Sequence, residues 1–168
     1  MSDLRTRYFF DTEFMEDGEV IELLSIGIVG DDGREYYAES NDADRSHASP
    51  WVKTNVLPHL TDRPNPVTGR RRARIAGDIL KFINAGDHAP EFWAYYGDYD
   101  WVVLCQLYGT MMDLPESWPK FAMDVKQLCV SLGDPKLPEQ HTTEHNALED
   151  ARWTRDAHSW LTGQKEAA

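Results

Sequence analysis

Three short segments of this chain carry side chains able to bind a metal ion and move a proton. Asp11 and Glu13 flank Thr12 at the end of an apolar run, Tyr8-Phe9-Phe10. Side chains alternate along a strand, so the two carboxylates point to the same side. Two acids on one face of a buried strand repel unless a cation neutralises them, and hard oxygen donors of this kind suit Mg²⁺ or Mn²⁺. The competing reading is a strand that frays into a turn, with both acids in water. Asp98 and Asp100 lie in Ala94-Tyr-Tyr-Gly-Asp-Tyr-Asp-Trp101, at a junction between strand and helix. An acid there reaches the mouth of a sheet, where open α/β sheets keep their sites, although Asp98 also reads as a plain helix N-cap. His145 and Asp150 frame the start of the last helix in His145-Asn-Ala-Leu-Glu-Asp-Ala151. They converge if the loop folds back over the helix start, and an imidazole beside a metal-binding carboxylate is a base near neutral pH. The alternative is a surface histidine with a solvated helical acid. Glu149 sits about 100° around the helix from Asp150 and reads as solvent-facing.

Holding such groups together requires a sheet. Tyr8 to Phe10 reads as a buried strand ending at Asp11, and Met15 to Gly18 as a turn. From Val20 to Val29, Leu24, Ile26 and Ile28 share one face while Leu23, Ser25 and Gly27 share the other. Asp31-Asp32-Gly33 is a hairpin signal, and Glu35 to Glu39 returns as a third strand. After a polar loop, Ser49-Pro50 has the form of an N-cap followed by proline at the first helical position. The spacing of Ile75, Ile79, Phe82 and Ile83 predicts a helix over Thr68 to Asn84, with the basic run Arg70 to Arg74 at its start. Glu91 to Tyr96 is a fourth strand, followed by a helix from Asp98 to Tyr108. Lys120 to Met123 is a fifth strand, and Asp124 caps a helix bearing Val125, Leu128, Cys129 and Leu132. The last helix runs from Asn146 to Leu161. This order implies an α/β fold: a mixed five-stranded sheet, three antiparallel strands plus two parallel, flanked by helices. Residues 1–168 read as one domain with a short disordered tail at about 163–168.

A net charge of −12, from 17 Lys and Arg against 29 Asp and Glu, excludes a protein that coats nucleic acid by general basicity. Two bound divalent ions would leave the chain acidic, so affinity for a polyanion must come from metals and local basic patches. Cys105 and Cys129 form no CxxC pair, which argues against thiolate metal sites and a disulfide framework. Strand-like sequence begins directly after Met1-Ser-Asp-Leu-Arg, leaving no room for a signal peptide, and no apolar stretch approaches the roughly 20 residues of a membrane span. These features imply a cytoplasmic protein with no membrane partner.

Taken in chain order, D-x-E at a strand end, Asp before a helix and H-x-x-x-x-D opening the last helix resemble the DEDDh group of 3′→5′ exonucleases. "DTEF" resembles that family's first motif and "HNALEDA" its third. In the middle motif the family usually carries His and Asn ahead of Phe-Asp; here Tyr95, Tyr96 and Tyr99 precede Asp100, and Asp98 competes with it. The short chain, "FFDTEF", the aromatic middle motif and the acidic balance are similar to the small polyadenylate-specific exoribonucleases. The resemblance spans residues 8–160. It implies a ribonuclease-H-like fold in which Asp11, Glu13, Asp100 and Asp150 hold two Mg²⁺ ions, with Mn²⁺ able to substitute. The ions would lie about 3.5–4 Å apart at the scissile phosphate, with His145 as general base. It further implies release of nucleoside 5′-monophosphates from the 3′ ends of single-stranded RNA, a preference for poly(A), and a homodimer. Thr12, Phe14, Tyr96 and Arg71 are the expected substrate contacts. Phe14 reads equally as a stacking surface for the terminal base and as core, and Arg71 as a phosphate contact or a solvated helix residue. A DNA exonuclease and a catalytically silent nucleic-acid-binding module are the rival readings, since the choice of RNA depends on contacts to the 2′-hydroxyl.

Overall fold

A computed structural model describes residues 5–61 and 69–166. The elements are β1 (Arg5–Glu16), β2 (Ile21–Gly30), β3 (Glu35–Ser40), α1 (Pro50–Asn55), β4 (Gly69–Arg70), α2 (Arg72–Asn84), β5 (Ala89–Ala94), α3 (Asp98–Gln106), β6 (Met123–Asp124), α4 (Val125–Ser131) and α5 (Ala147–Glu166). They build one sheet in the order β4-β3-β2-β1-β5-β6. The meander β1-β2-β3 is antiparallel, while β5 pairs parallel with β1, and β6 parallel with β5. This is the expected mixed sheet of three antiparallel and two parallel strands between helices, with one addition. β4 is a two-residue strand parallel to β3, where helix was expected from Thr68. Thr68 lies outside the described residues. Arg71 is extended (φ −70°, ψ 149°) and offers no capping oxygen, so α2 starts only at Arg72, whose N–H donates to the Asp42 carboxylate at 2.8 Å.

β1 does not end at Asp11 but runs on to Glu16, because β2 supplies partners as far as the Glu16–Ile21 pair. Its register shifts between Glu13 and Phe14. The fifth expected strand shrinks to Met123–Asp124. Ser49 and Asp124 cap α1 and α4 as their positions suggested, accepting from the N–H groups of Val52 and Gln127. α5 continues to Glu166, into the stretch expected to be a tail; residues 167–168 lie outside the described residues. Among the described residues no helix is long and apolar enough to cross a membrane.

Alternation along β1 divides the core. Tyr8 and Phe10 face a cluster with Ile26, Ile28, Phe92 and the α2 residues Ile75, Ile79 and Ile83. Phe9 faces the other layer, with Trp93, α4 residues Val125 and Cys129, and α5 residues Ala157 and Leu161. α5 crosses β1 and β2 on this second face, and its start rests on Gly27. A Cβ at Gly27 would lie 2.4 Å from the Ala147 carbonyl oxygen and 2.5 Å from the Leu148 Cα. Gly27 is the cross-strand partner of Asp11, so the missing side chain brings the start of α5 down beside that carboxylate. Gly27→Ala must push backbone against backbone. Overpacking of this kind costs about 1–3 kcal/mol, which at this chain length should lower Tm by about 3–10 °C. Thermal unfolding by circular dichroism tests this, and an unchanged Tm would refute the contact.

Candidate active site

β1, β3, β4, β5 and β6 run in one direction, so their C-terminal ends share one edge of the sheet. The candidate site lies there. Asp11 and Glu13 stand opposite Gly27 and Ser25 of β2, two small residues that leave room on that face for the start of α5. Thr12 alternates away. β5 pairs with β1 only as far as Phe9–Trp93, so the β1 edge beyond it has no strand partner. Asp100, at the third position of α3, satisfies that edge: its Oδ1 accepts from the Thr12 N–H at 2.8 Å and from the Thr12 hydroxyl at 2.5 Å. Asp100 is 6% exposed, whereas Asp98 faces solvent. Gly97, not Asp98, occupies the N-cap position of α3, and its N–H donates to Asp124.

The loop before α5 folds back as the His145–Asp150 spacing allows. Asn146 caps the helix, its Oδ1 accepting from Leu148 and Glu149 N–H groups at 3.2 Å. His145 takes a left-handed backbone (φ 62°), which turns its N–H onto Asp150 Oδ2 at 3.0 Å. The other oxygen of Asp150 accepts from Gln140 Nε2 at 2.6 Å. Donor atoms of Glu13, His145 and Asp150 all lie within 4.8 Å of one another. The Trp51 ring meets the His145 ring edge-on at 4.9 Å. The segment that carries Trp51 is flanked by a clamp: Glu39, 3% exposed, accepts from the Thr61 N–H and hydroxyl and pairs with Arg45 at 3.5 Å. That clamp ties both ends of the segment containing α1 to β3. Glu149 is not solvent-facing as expected but partly buried and paired with Arg152, which also pairs with Glu35.

Electrostatics sets this cluster apart from a structural ion-pair network. Asp11 is raised well above the ordinary carboxylate range, first by burial and then by the charges of Asp100, Glu13 and Asp150. Glu13 is pushed up to about 8 by burial, then by Asp150 and Asp100. Burial lifts Asp100 to about 6 against the lowering effect of the Thr12 bonds, and lifts Asp150 against those from Gln140 and His145. Among the described residues no Lys or Arg lines the cleft. Four carboxylates in one partly dry place, with no side-chain cation, fit hard divalent ions.

The cleft has a volume of about 970 Å³ and is walled by Phe14, Trp51, Tyr95, Leu137, Pro138 and Trp153 around the acidic floor. Phe14 stacks on Tyr99 with centroids 5.6 Å apart and lines the cleft. Thr12 also lines it, but its hydroxyl is spent on Asp100. Two of the expected contacts fall elsewhere. Tyr96, at φ 56° and 64% exposed, is outside the lining, and Tyr95 takes the place beside Trp153. Arg71 follows β4 at the same end of the sheet but is exposed and outside the lining. Trp51, Trp153 and Gln140 went unmarked in the sequence. A tryptophan directly after Ser49-Pro50 is the one local sequence signal for any of them.

The chain matches the model of the Rv2179c-like 3′-5′ exoribonuclease domain over residues 6–162. Two curated Mycobacterium tuberculosis proteins, 3′-5′ exoribonuclease Rv2179c from strain H37Rv and MT2234.1 from strain CDC 1551, are each 47% identical over 147 residues, covering 87% of both chains. Among solved structures, a 3′-exonuclease described in 3′-end specific recognition of a histone mRNA stem-loop superposes with TM-score 0.61 at 12% identity, over 95% of this chain and 64% of that one. S. pombe Pop2p in its Mg²⁺- and Mn²⁺-bound form gives 0.57 at 12% identity, over 93% and 81%. The metal-free E. coli ExoI–ssDNA complex gives 0.59 at 13% identity, over 95% and 42%. At these identities the structural likeness establishes the fold.

Charge crowding has a measurable consequence. The folded pKa of Glu13 is raised from 4.5 to about 8, so its contribution to stability is fully present below pH 4.5 and lost as pH rises through about 8. EDTA-treated protein should therefore lose Tm between pH 5 and 8. Mg²⁺ or Mn²⁺ should restore it, with a larger gain at pH 8 than at pH 5, where protons compete for the same oxygens. A metal-induced shift no larger at pH 8 than at pH 5, read by scanning fluorimetry, would contradict this account of the cluster.

Proposed function

Because the chain belongs to the Rv2179c-like 3′-5′ exoribonuclease domain family, we propose that it hydrolyses single-stranded RNA from the 3′ end with divalent metal, releasing nucleoside 5′-monophosphates. The observation that carries this reading is the convergence of Asp11, Glu13, Asp100 and Asp150 beside His145 in a cleft whose described lining holds no basic side chain but that histidine. These four carboxylates would hold two ions, Mg²⁺ or Mn²⁺. Bound there, the ions would supply a water of lowered pKa and stabilise charge on the phosphoryl and leaving oxygens.

The chain's own groups do the rest. Thr12 and the His145 N–H orient Asp100 and Asp150 through the bonds described. His145, beside Glu13 and Asp150, accepts the proton of the attacking water on an imidazole nitrogen. Phe14 and Trp51 offer flat faces to the unpaired bases of the strand end, a sequence-tolerant way to hold it. Leu137, Pro138 and Trp153 wall the cleft on the α5 side and limit water. With a net charge of −12, affinity for the strand rests on the bound metals and on stacking more than on the overall field. The resemblance to polyadenylate-specific enzymes extends the proposal to a preference for poly(A) and to a homodimer, the latter tested by sedimentation. The free buried thiols of Cys105 and Cys129 suit a reducing cytoplasm.

Digestion of end-labelled poly(A), poly(U), poly(C) and a DNA strand with Mg²⁺ tests the assignment. Mononucleotide release from RNA is expected, fastest on poly(A); faster release from DNA would move the enzyme to the DNA class. Asp11→Ala and Asp150→Ala should keep the fold and abolish turnover. His145→Ala should keep Mn²⁺ binding while losing about 10²–10⁴ in rate. Wild-type rates from Asp11→Ala after EDTA treatment and Mg²⁺ restoration would overturn the reading.

A further inference from the structure

We infer that Gln140 is a positioning residue for Asp150, setting the affinity of the site for divalent metal from the loop that precedes α5. The inference rests on the metal-dependent reading above.

Asp150 stands in the first turn of α5, where a free carboxylate can rotate about χ2. Two bonds stop it. The His145 N–H holds Oδ2 at 3.0 Å and Gln140 Nε2 holds Oδ1 at 2.6 Å. The first bond is built into the backbone turn at His145. The second depends on a single side chain ten residues away. Gln140 Nε2 also donates to Thr142 Oγ1 at 3.3 Å, so both its hydrogens are committed and the amide cannot be reversed without setting its carbonyl against the carboxylate. The loop that carries it is fastened independently. Leu137 packs against the cluster of Phe9, Trp93 and Leu161, and Trp153 Nε1 donates to the Pro138 carbonyl at 3.0 Å. Gln140 therefore reaches Asp150 from an anchored backbone and restrains it, rather than being carried along by it. Each Asp150 oxygen still has a lone pair for an ion, so the amide and a metal can share it. Groups that hydrogen-bond a ligating carboxylate typically contribute about 10–100-fold to metal affinity.

The test is calorimetric titration of the EDTA-treated full chain with Mn²⁺, alongside the Mn²⁺ dependence of RNA hydrolysis. Gln140→Leu, near in volume but without a donor, should weaken Mn²⁺ binding about tenfold and move the activation midpoint by the same factor. If that variant fails to fold by circular dichroism, Gln140→Ala removes the same donor and is measured in its place. Lys136→Ala removes the Lys136–Glu139 pair of the same loop without touching Gln140 or Asp150, and should bind Mn²⁺ within about twofold of wild type. Wild-type affinity in the folded Gln140 variant would overturn the inference while leaving the nuclease reading intact. Equal weakening in Lys136→Ala would also overturn it, since loop integrity would then be the cause. Absence of saturable Mn²⁺ binding in the wild-type chain would bring down the metal-dependent reading itself, and this inference with it.

Discussion

The contact between the start of α5 and β2 at Gly27 is the constraint on which the site depends. A helix normally stands off a sheet by the length of its packed side chains. Here the Ala147 carbonyl sits where a Cβ of Gly27 would be, so the first turn of α5 lies almost on the strand. Gly27 pairs with Asp11, and Asp150 lies in that first turn. Removing one methyl-sized volume is what lets a helical carboxylate join two strand carboxylates. The close approach has an electrostatic cost, visible in the raised pKa values of Asp11, Glu13 and Asp150. Such a cost persists in a fold when the group that relieves it is a ligand.

Around this contact the other layers act as supports. The early end of β5 pairing frees the Thr12 N–H, and Asp100 fills the gap, so an unpaired sheet edge becomes the means of holding an acid. The buried Glu39, through Thr61 and Arg45, holds the segment that brings Trp51 to His145. The left-handed turn at His145 directs its backbone N–H to Asp150 while its imidazole meets the Trp51 ring. The walls are aromatic and apolar while the floor is acidic, so an anionic strand would need cations between its backbone and that floor.

Much of this was legible in the sequence, and the divide follows the range of the interactions. Period-two alternation placed Asp11 and Glu13 on one side, Ser49 and Asp124 were readable as caps, and the meander followed from its turn residues. The ends of β1 and the start of α2 were misplaced because distant partners decided them: β2 carries β1 on to Glu16, and Asp42 caps α2 in place of Arg71. Tyr95 and Tyr96 could not be told apart, since their roles turn on the left-handed backbone at Tyr96. Gln140 carried no pattern at all; its part comes from meeting Asp150 in space.

By itself the sequence determined the types and order of the chemical groups, the faces on which neighbours lie, and the class of sheet they need. These follow from backbone sterics and side-chain periodicity, which act over a few residues. Tertiary structure alone decided that Asp100 meets Thr12 across 88 positions of chain, that Gly27 admits α5, and that no basic side chain beyond His145 lines the described cleft. Those facts depend on packing between elements remote in sequence, where no local signal records which side chain will be absent, turned aside or left without a counter-charge.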